Sequence, residues 1–243
     1  MGTIRSYGYL AAAALLLSAC GSSKAVDNGT GAPLTLLNET FGSVASGASS
    51  LTTKWVVSST TLCTASNTDQ DVAGSPSQGN PTYALVMTCQ GAQSLSAPLI
   101  NLKSVSTYIL NTPMTFAADA RTDLSPIPGN PAPGMDFALE ALNTGAQFAK
   151  VIVGPASATF VIKSGNTNVQ TIRAFTADGL FHRYTFVVDG VGNAEWRRDG
   201  ALQANTALFS TATGDLYLKM QAPPSTSTEP SSGHFDNVLI TKP

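Results

Sequence analysis

The chain is short of charge, of histidine, of cysteine and of aromatic residues. Only 12% of its 243 residues are charged and the formal net charge is -2. Apart from Arg197-Arg198 the basic residues stand singly, which excludes the basic patch that binding to nucleic acid requires. Two histidines, His182 and His234, rule out a three-histidine zinc centre. There is no Gly-x-Ser-x-Gly elbow, no His-Glu-x-x-His, no Cys-x-x-Cys and no glycine-rich phosphate loop, so the common nucleophile and metal motifs are missing. Aromatic residues make up 7%, few enough that most are needed inside a core.

What is abundant is apolar residues, at 43%, together with Ser, Thr, Gly, Asn and Pro. That mixture describes short strands joined by turns, and no helix of ten or more residues is predicted beyond Leu34. About thirteen strands are predicted, at spacings typical of a β-sandwich. They include Thr35–Phe41, Lys54–Cys63, Tyr83–Cys89, Leu99–Lys103, Ser106–Asn111, Met114–Ala120, Met135–Leu142 and Gln147–Val153. The clearest unit is the hairpin Phe181–Gln203. Phe181, Arg183, Thr185 and Val187 alternate with His182, Tyr184, Phe186 and Val188, and a tight Asp199-Gly200 turn follows the second strand. Apolar residues on both faces predict a strand covered on both sides. Three segments read as loops: Ala65–Pro81, Arg121–Gly134 and Ala222–Gly233. The expectation is an all-β chain, a single antiparallel β-sandwich over residues 34–243.

The first nineteen residues read as an export signal, expected to be helical, with Arg5 as its basic end and Tyr9–Leu17 as an apolar run too short to span a bilayer. Leu17-Ser18-Ala19-Cys20 resembles the bacterial lipoprotein lipobox. The resemblance implies cleavage before Cys20, a lipid on that cysteine and anchoring in the membrane, with Gly21 favouring the outer membrane of the cell envelope. The alternative is an ordinary secretory signal with an incidental cysteine. Residues 20–33 then serve as a tether of roughly 20 Å root-mean-square reach. Export leaves Cys63 and Cys89 in an oxidising compartment, where they are expected to pair, contributing on the order of 3 kcal/mol; two buried free thiols are the alternative.

The hairpin, read as Phe181-His182, Tyr184–Val188, Asp189-Gly190-Val191-Gly192 and Trp196–Gly200, resembles the concanavalin A-like lectin/glucanase jelly roll and its laminin-G-like relatives. Glu39-Thr40-Phe41 near the start and Phe235-Asp236-Asn237-Val238 near the end fit the same pattern, while Arg197-Arg198 departs from the usual aliphatic pair. The resemblance implies that the first and last strands are neighbours in one sheet. It also brings Glu39 and Asp236 near each other as possible calcium ligands.

Other candidate sites are sparse. Asn67, Asp69 and Asp71 alternate in a presumed loop and offer oxygen ligands suited to a structural calcium. Asp136 and Glu140, four apart on one strand, would be ~13 Å apart, too far for a glycosidase pair. His182 and Tyr184 share a face and are possible site residues. Trp196 with Arg197 and Arg198, and Tyr83, are the candidates for an exposed saccharide platform. The function expected is a lipid-anchored, non-catalytic, lectin-like module for saccharide binding or adhesion. A carbohydrate-active lyase or hydrolase, or a purely structural envelope protein, is the alternative.

Overall fold

A computed structural model describes residues 32–41, 54–59, 63–69, 83–90, 99–110, 112–122, 134–141, 147–154, 156–209, 213–221 and 230–243. The expected export signal over residues 1–19, Cys20 and Asp71 lie outside them. Fifteen strands run in chain order. They are β1 Leu34–Glu39, β2 Trp55–Ser59, β3 Cys63–Asp69, β4 Tyr83–Gln90, β5 Leu99–Ile109, β6 Met114–Thr122, β7 Gly134–Ala141 and β8 Gln147–Val153. Next come β9 Ser157–Ser164, β10 Thr167–Ala174, β11 His182–Val188, β12 Ala194–Arg198, β13 Ala201–Thr206, β14 Thr213–Gln221 and β15 Pro230–Lys242.

The strands form two antiparallel sheets. One has eight strands in the order β13-β12-β11-β6-β15-β4-β3, with β1 also on β15; the other has seven, in the order β10-β9-β8-β7-β14-β5-β2. The first and last strands are paired, with Glu39 opposite Val238, as the resemblance implied. β15 is long enough to carry β4 along its first half and β1 along its second.

Period-two alternation decides which side chains enter the core. Tyr184, Phe186 and Val188 of β11 and Ala194 and Trp196 of β12 are buried, facing Val151, Phe160, Ile162, Leu216 and Leu218 from the opposite sheet. Phe186 and Trp196 lie with ring centroids 4.9 Å apart, and Phe160 sits 6.3 Å from both Trp196 and Tyr184. The Trp196 indole N–H donates to the Val161 carbonyl at 3.1 Å. This bond ties the two sheets together and satisfies a donor that would otherwise be buried unpaired.

Several sequence expectations change here. The predicted strand Lys54–Cys63 is two strands, β2 and β3, which belong to different sheets. Leu99–Lys103 and Ser106–Asn111 are a single strand, β5, and Ala65–Asp69 continues β3 instead of opening a loop. β13 was not predicted; the Asp199-Gly200 turn, with φ of 49° and 81°, has the two left-handed residues of a type I′ hairpin and returns the chain as a third strand. The outward residues of β11, Arg183, Thr185 and Val187, are only half-buried, so this strand is covered on one side.

Truncation of Phe186 to alanine removes the ring shared by Trp196, Phe116 and Phe209. The expected cost is about 3–5 kcal/mol, a fall in Tm of roughly 6–20 °C, measurable by thermal or denaturant unfolding. A loss below about 1 kcal/mol would contradict the central place of this cluster.

Candidate functional site

The outward face of the seven-stranded sheet sets lysines beside a half-buried tyrosine. In β5 and β14, buried Leu102, Leu216 and Leu218 alternate with Lys103, Asp215 and Tyr217. In β8, buried Ala149 and Val151 flank Lys150. The register lines up Val56, Lys103, Tyr217, Ala138, Lys150 and Val161 as one row crossing six strands. These seven strands contain four lysines and one arginine against three acidic residues, although the whole chain is net negative. Arg173 is turned away, donating to the Gln203 carbonyl of β13 at 2.9 and 3.2 Å.

A bulge builds the centre of this face. Between Asp215 and Tyr217 the register against β5 jumps from Thr107 to Lys103, leaving extra residues on β5. The Leu216 N–H thereby loses its ladder partner and donates instead to the Ser104 hydroxyl at 3.0 Å, and that hydroxyl donates to the Ser106 carbonyl at 2.7 Å. The extra residues bring Lys103 and Thr107 round the same carboxylate. Lys103 Nζ lies 2.8 Å from one Asp215 oxygen and the Thr107 hydroxyl donates to the other at 2.8 Å.

Asp215 is 2% exposed, so its charge depends on these partners. The Lys103 ammonium keeps more than a third of its side-chain surface in solvent. Its pKa is raised, chiefly by the hydrogen bond to Asp215, which outweighs the opposing effect of desolvation. It also lies 6.0 Å from the centroid of the half-buried Tyr217 ring. A second lysine, Lys163, lies 5.0 Å from the Phe148 ring at the start of β8. Chemically this is a rigid face on which a fixed cation stands beside a partly open aromatic ring. It suits recognition of a flat ligand that carries an acceptor or a carboxylate.

The residues singled out from sequence are placed differently. Trp196 is fully buried and offers no platform, because its position in β12 shares the inward parity of Phe186. Arg197 and Arg198 point to opposite faces. Arg197 donates to Glu195 at 2.6 Å, which raises its pKa, while Arg198 stacks on Phe175 with its guanidinium carbon 4.0 Å from the ring centroid. The three therefore do not form one site. Tyr83 opens β4 opposite Asp69, and Asn67 lies opposite Leu85; Asn67 and Asp69 belong to a strand and not to a calcium-binding loop.

Glu39 and Asp236 are not brought together as a cation site. Glu39 is committed to Lys54 at 3.1 Å and to the Phe41 N–H at 2.9 Å. Asp236 is buried and accepts from both the backbone and side-chain nitrogen of Asn237, whose amide also bridges to buried Asp119. Arg183 supplies the nearby cation, at 3.1 Å from Asp119. Among the described residues no group of three or more His, Cys, Asp or Glu side chains is arranged to hold a metal ion. Cys63 and Cys89 are directly opposite each other in the β3–β4 ladder.

His182 sits at the far end of the hairpin with both ring nitrogens occupied. Nδ1 is 2.7 Å from Asp199, and Nε2 is 3.0 and 3.1 Å from the two oxygens of Asp178. Asp178 is held below the usual carboxylate range, first by the Leu180 N–H and then by His182. Tyr184 is buried, and burial pushes its hydroxyl pKa up. The shared face of His182 and Tyr184 thus leads into a closed ionic clamp and the core.

Lys103, Asp215 and Tyr217 were missed in the sequence. The signal available was the alternation in Leu99–Ser104 and Asp215–Lys219, which marks outward positions but not their partners. Lys103→Met is expected to destabilise by on the order of 3 kcal/mol, because it strands the Asp215 carboxylate. Asp215→Asn, which keeps the shape and the Thr107 contact, is expected to cost less, and the double variant to recover part of the Lys103→Met loss. Denaturant unfolding of the three variants decides; a Lys103→Met loss no larger than that of Asp215→Asn contradicts the pairing.

No family model matches the chain, and no curated protein matches it by sequence. Solved structures do share its fold. The globular domain of T. cruzi calreticulin superposes with a TM-score of 0.56 at 10% identity, over 86% of this chain and 88% of that one. A sialidase gives 0.56 at 10% identity over 85% of this chain, but over only 18% of its own length. Alginate lyase A1-II′, of polysaccharide lyase family 7, gives 0.50 at 10% identity, over 65% of this chain and 80% of that one. At such identity the likeness concerns architecture, and the architecture is the concanavalin A-like jelly-roll β-sandwich.

Proposed function

We propose that this protein is a non-catalytic, lectin-like module of a bacterial cell envelope that binds a carboxylate-bearing saccharide on the outward face of its seven-stranded sheet. The observation that carries the reading is the Lys103–Tyr217 row, with its cation fixed by buried Asp215. Tyr217 offers a ring face for the apolar side of a pyranose, and Lys103 and Lys150 offer donors for acidic groups on either side of it. Proteins of the same fold include an alginate lyase and a sialidase by name, which is consistent with a saccharide ligand. Binding is favoured over chemistry by the partners of His182. Asp199 and Asp178 hold its two ring nitrogens at 2.7 and 3.0 Å, so both nitrogens are already engaged within the protein.

The test is the affinity of purified protein for polyuronates, such as alginate and polygalacturonate, measured by calorimetry. Tyr217→Ala is expected to weaken binding at least about tenfold, equivalent to ~1.4 kcal/mol, without changing the fold. Affinity unchanged by this substitution, or no affinity for any acidic saccharide, sinks the reading. Turnover with release of unsaturated sugars would instead favour a lyase.

The envelope location rests on the lipobox-like Leu17–Cys20, and the exported state on the facing cysteines as well. The register of Cys63 directly opposite Cys89 supports a bridge between the two. In the native host, wild-type protein is expected in the membrane fraction with Cys63 and Cys89 inaccessible to thiol reagents until reduced. Cys20→Ala is expected to release it. Membrane retention of that variant, or free thiols in the wild type, overturns the corresponding assignment.

A further inference from the structure

The opposite sheet carries a groove that the lysine face does not involve. It is a cavity of about 210 Å³ at the turn end of the β11–β12 hairpin, lined by Asp189, Asn193, Glu195, Asn205 and Thr206, with Val187 among its apolar lining. A void of ~10–15 Å³ already takes one water, so this groove has room for a ligand of many atoms. Its walls follow from strand parity. Val187, Glu195 and Asn205 are register partners on three adjacent strands. They alternate with Phe186, Trp196 and Ala204, which face the core.

The Asp189–Asn193 loop closes one end. The Asp189 carboxylate accepts from the N–H groups of Val191 at 2.8 Å and Asn193 at 2.9 Å, and from the Asn193 side-chain amide. Burial acts to raise its pKa, but the hydrogen bonds from Asn193 and Val191 outweigh burial and hold it below the usual range. The loop can make this turn because Gly192 has φ of +117°, with Ala207 O only 3.2 Å from where a Cβ would stand. Asp189 is therefore a fixed charge on a stiff loop.

The groove has spare acceptors and little to receive them. Glu195 uses Oε1 for Arg197, and its Oε2 makes no hydrogen bond among the described residues. Asn193 donates its amide nitrogen to Asp189, and its Oδ1 makes no hydrogen bond among the described residues. The Asn205 side chain is exposed and has no hydrogen-bond partner among the described residues. Thr206 is already used, donating to Ser164 and accepting from the Leu208 N–H. Two carboxylates and open amide oxygens select a ligand rich in hydroxyl donors and repel an anionic one. Val187 and Ala207 supply apolar surface for a C–H face.

From this we propose that the groove is a second binding site, for a neutral pyranose unit, with Glu195, Asn193 and Asn205 accepting its hydroxyls. It is distinct in position and in charge preference from the lysine face. The chain would then hold an acidic saccharide on one sheet and a neutral sugar on the other.

The experiment is two-dimensional ¹H–¹⁵N NMR of the purified protein titrated with the methyl α-glycosides of glucose, mannose and galactose, and with galacturonate. At least one neutral glycoside is expected to move the backbone amides of Asn193, Glu195, Asn205 and Thr206 and the Asn205 side-chain amide. Asn205→Ala is expected to weaken that binding about tenfold, and Tyr217→Ala to leave it unchanged. Glu195→Gln is expected to narrow the preference for neutral sugar over galacturonate. The proposal is overturned if no neutral glycoside moves these amides, if galacturonate moves them equally in the wild type, or if Asn205→Ala leaves the affinity unaltered. Loss of the shifts in Tyr217→Ala would also overturn it, by placing the sugar on the other sheet. Failure of polyuronate binding alone touches only the lysine face.

Discussion

The aromatic contact between the sheets is what the rest of the molecule depends on. Trp196, packed on Phe186 in one sheet, meets Phe160 from the other, and its indole reaches across to the Val161 carbonyl. Because strands present side chains with period two, burying these rings obliges every neighbouring odd-numbered position of the hairpin to face outward. The groove residues Val187, Glu195 and Asn205 owe their exposure to that constraint. A slip of one residue in register would exchange core for groove.

A polar seam complements this core on the outer side of the eight-stranded sheet. Asp119 and Asp236 are opposite each other in the β6–β15 ladder, both fully buried. Two carboxylates so placed need donors, and they receive them from Asn237 and Arg183. Asn237 adopts φ of 49° at the bulge in β15, a conformation that asparagine tolerates better than most residues. The Asp-Asn-Val stretch near the end of the chain thus works as internal wiring that holds β6, β11 and β15 in register, where the sequence had suggested a metal ligand.

Both sheets therefore make their outward faces with the same device, a bulge or turn that places polar groups around a carboxylate. On β5 and β14 it collects Lys103 and Thr107 about Asp215. After β11 it collects the Asp189–Asn193 hydrogen bonds. The carboxylates are fixed rather than free to rotate, so a ligand meeting them pays little ordering entropy on the protein's side. One face is cationic and aromatic, the other acidic and rich in amides.

The sequence by itself determined that the chain is built of strands, where most of them run, and that its hairpin and ends match a jelly roll. These are local properties, set by alternation, turn residues and the absence of helical periodicity. It also showed the Asp199-Gly200 turn, since two successive left-handed residues are a local demand. It did not show that Trp196 is buried, because alternation names two faces without saying which one meets the other sheet. Nor did it show the joining of Lys103 to Asp215 and Tyr217, more than a hundred residues further along the chain, which it meets only through the β5–β14 register and its bulge. Pairing and register are long-range facts, decided by which packing buries the most apolar surface, and the two outward faces exist only once that packing is chosen.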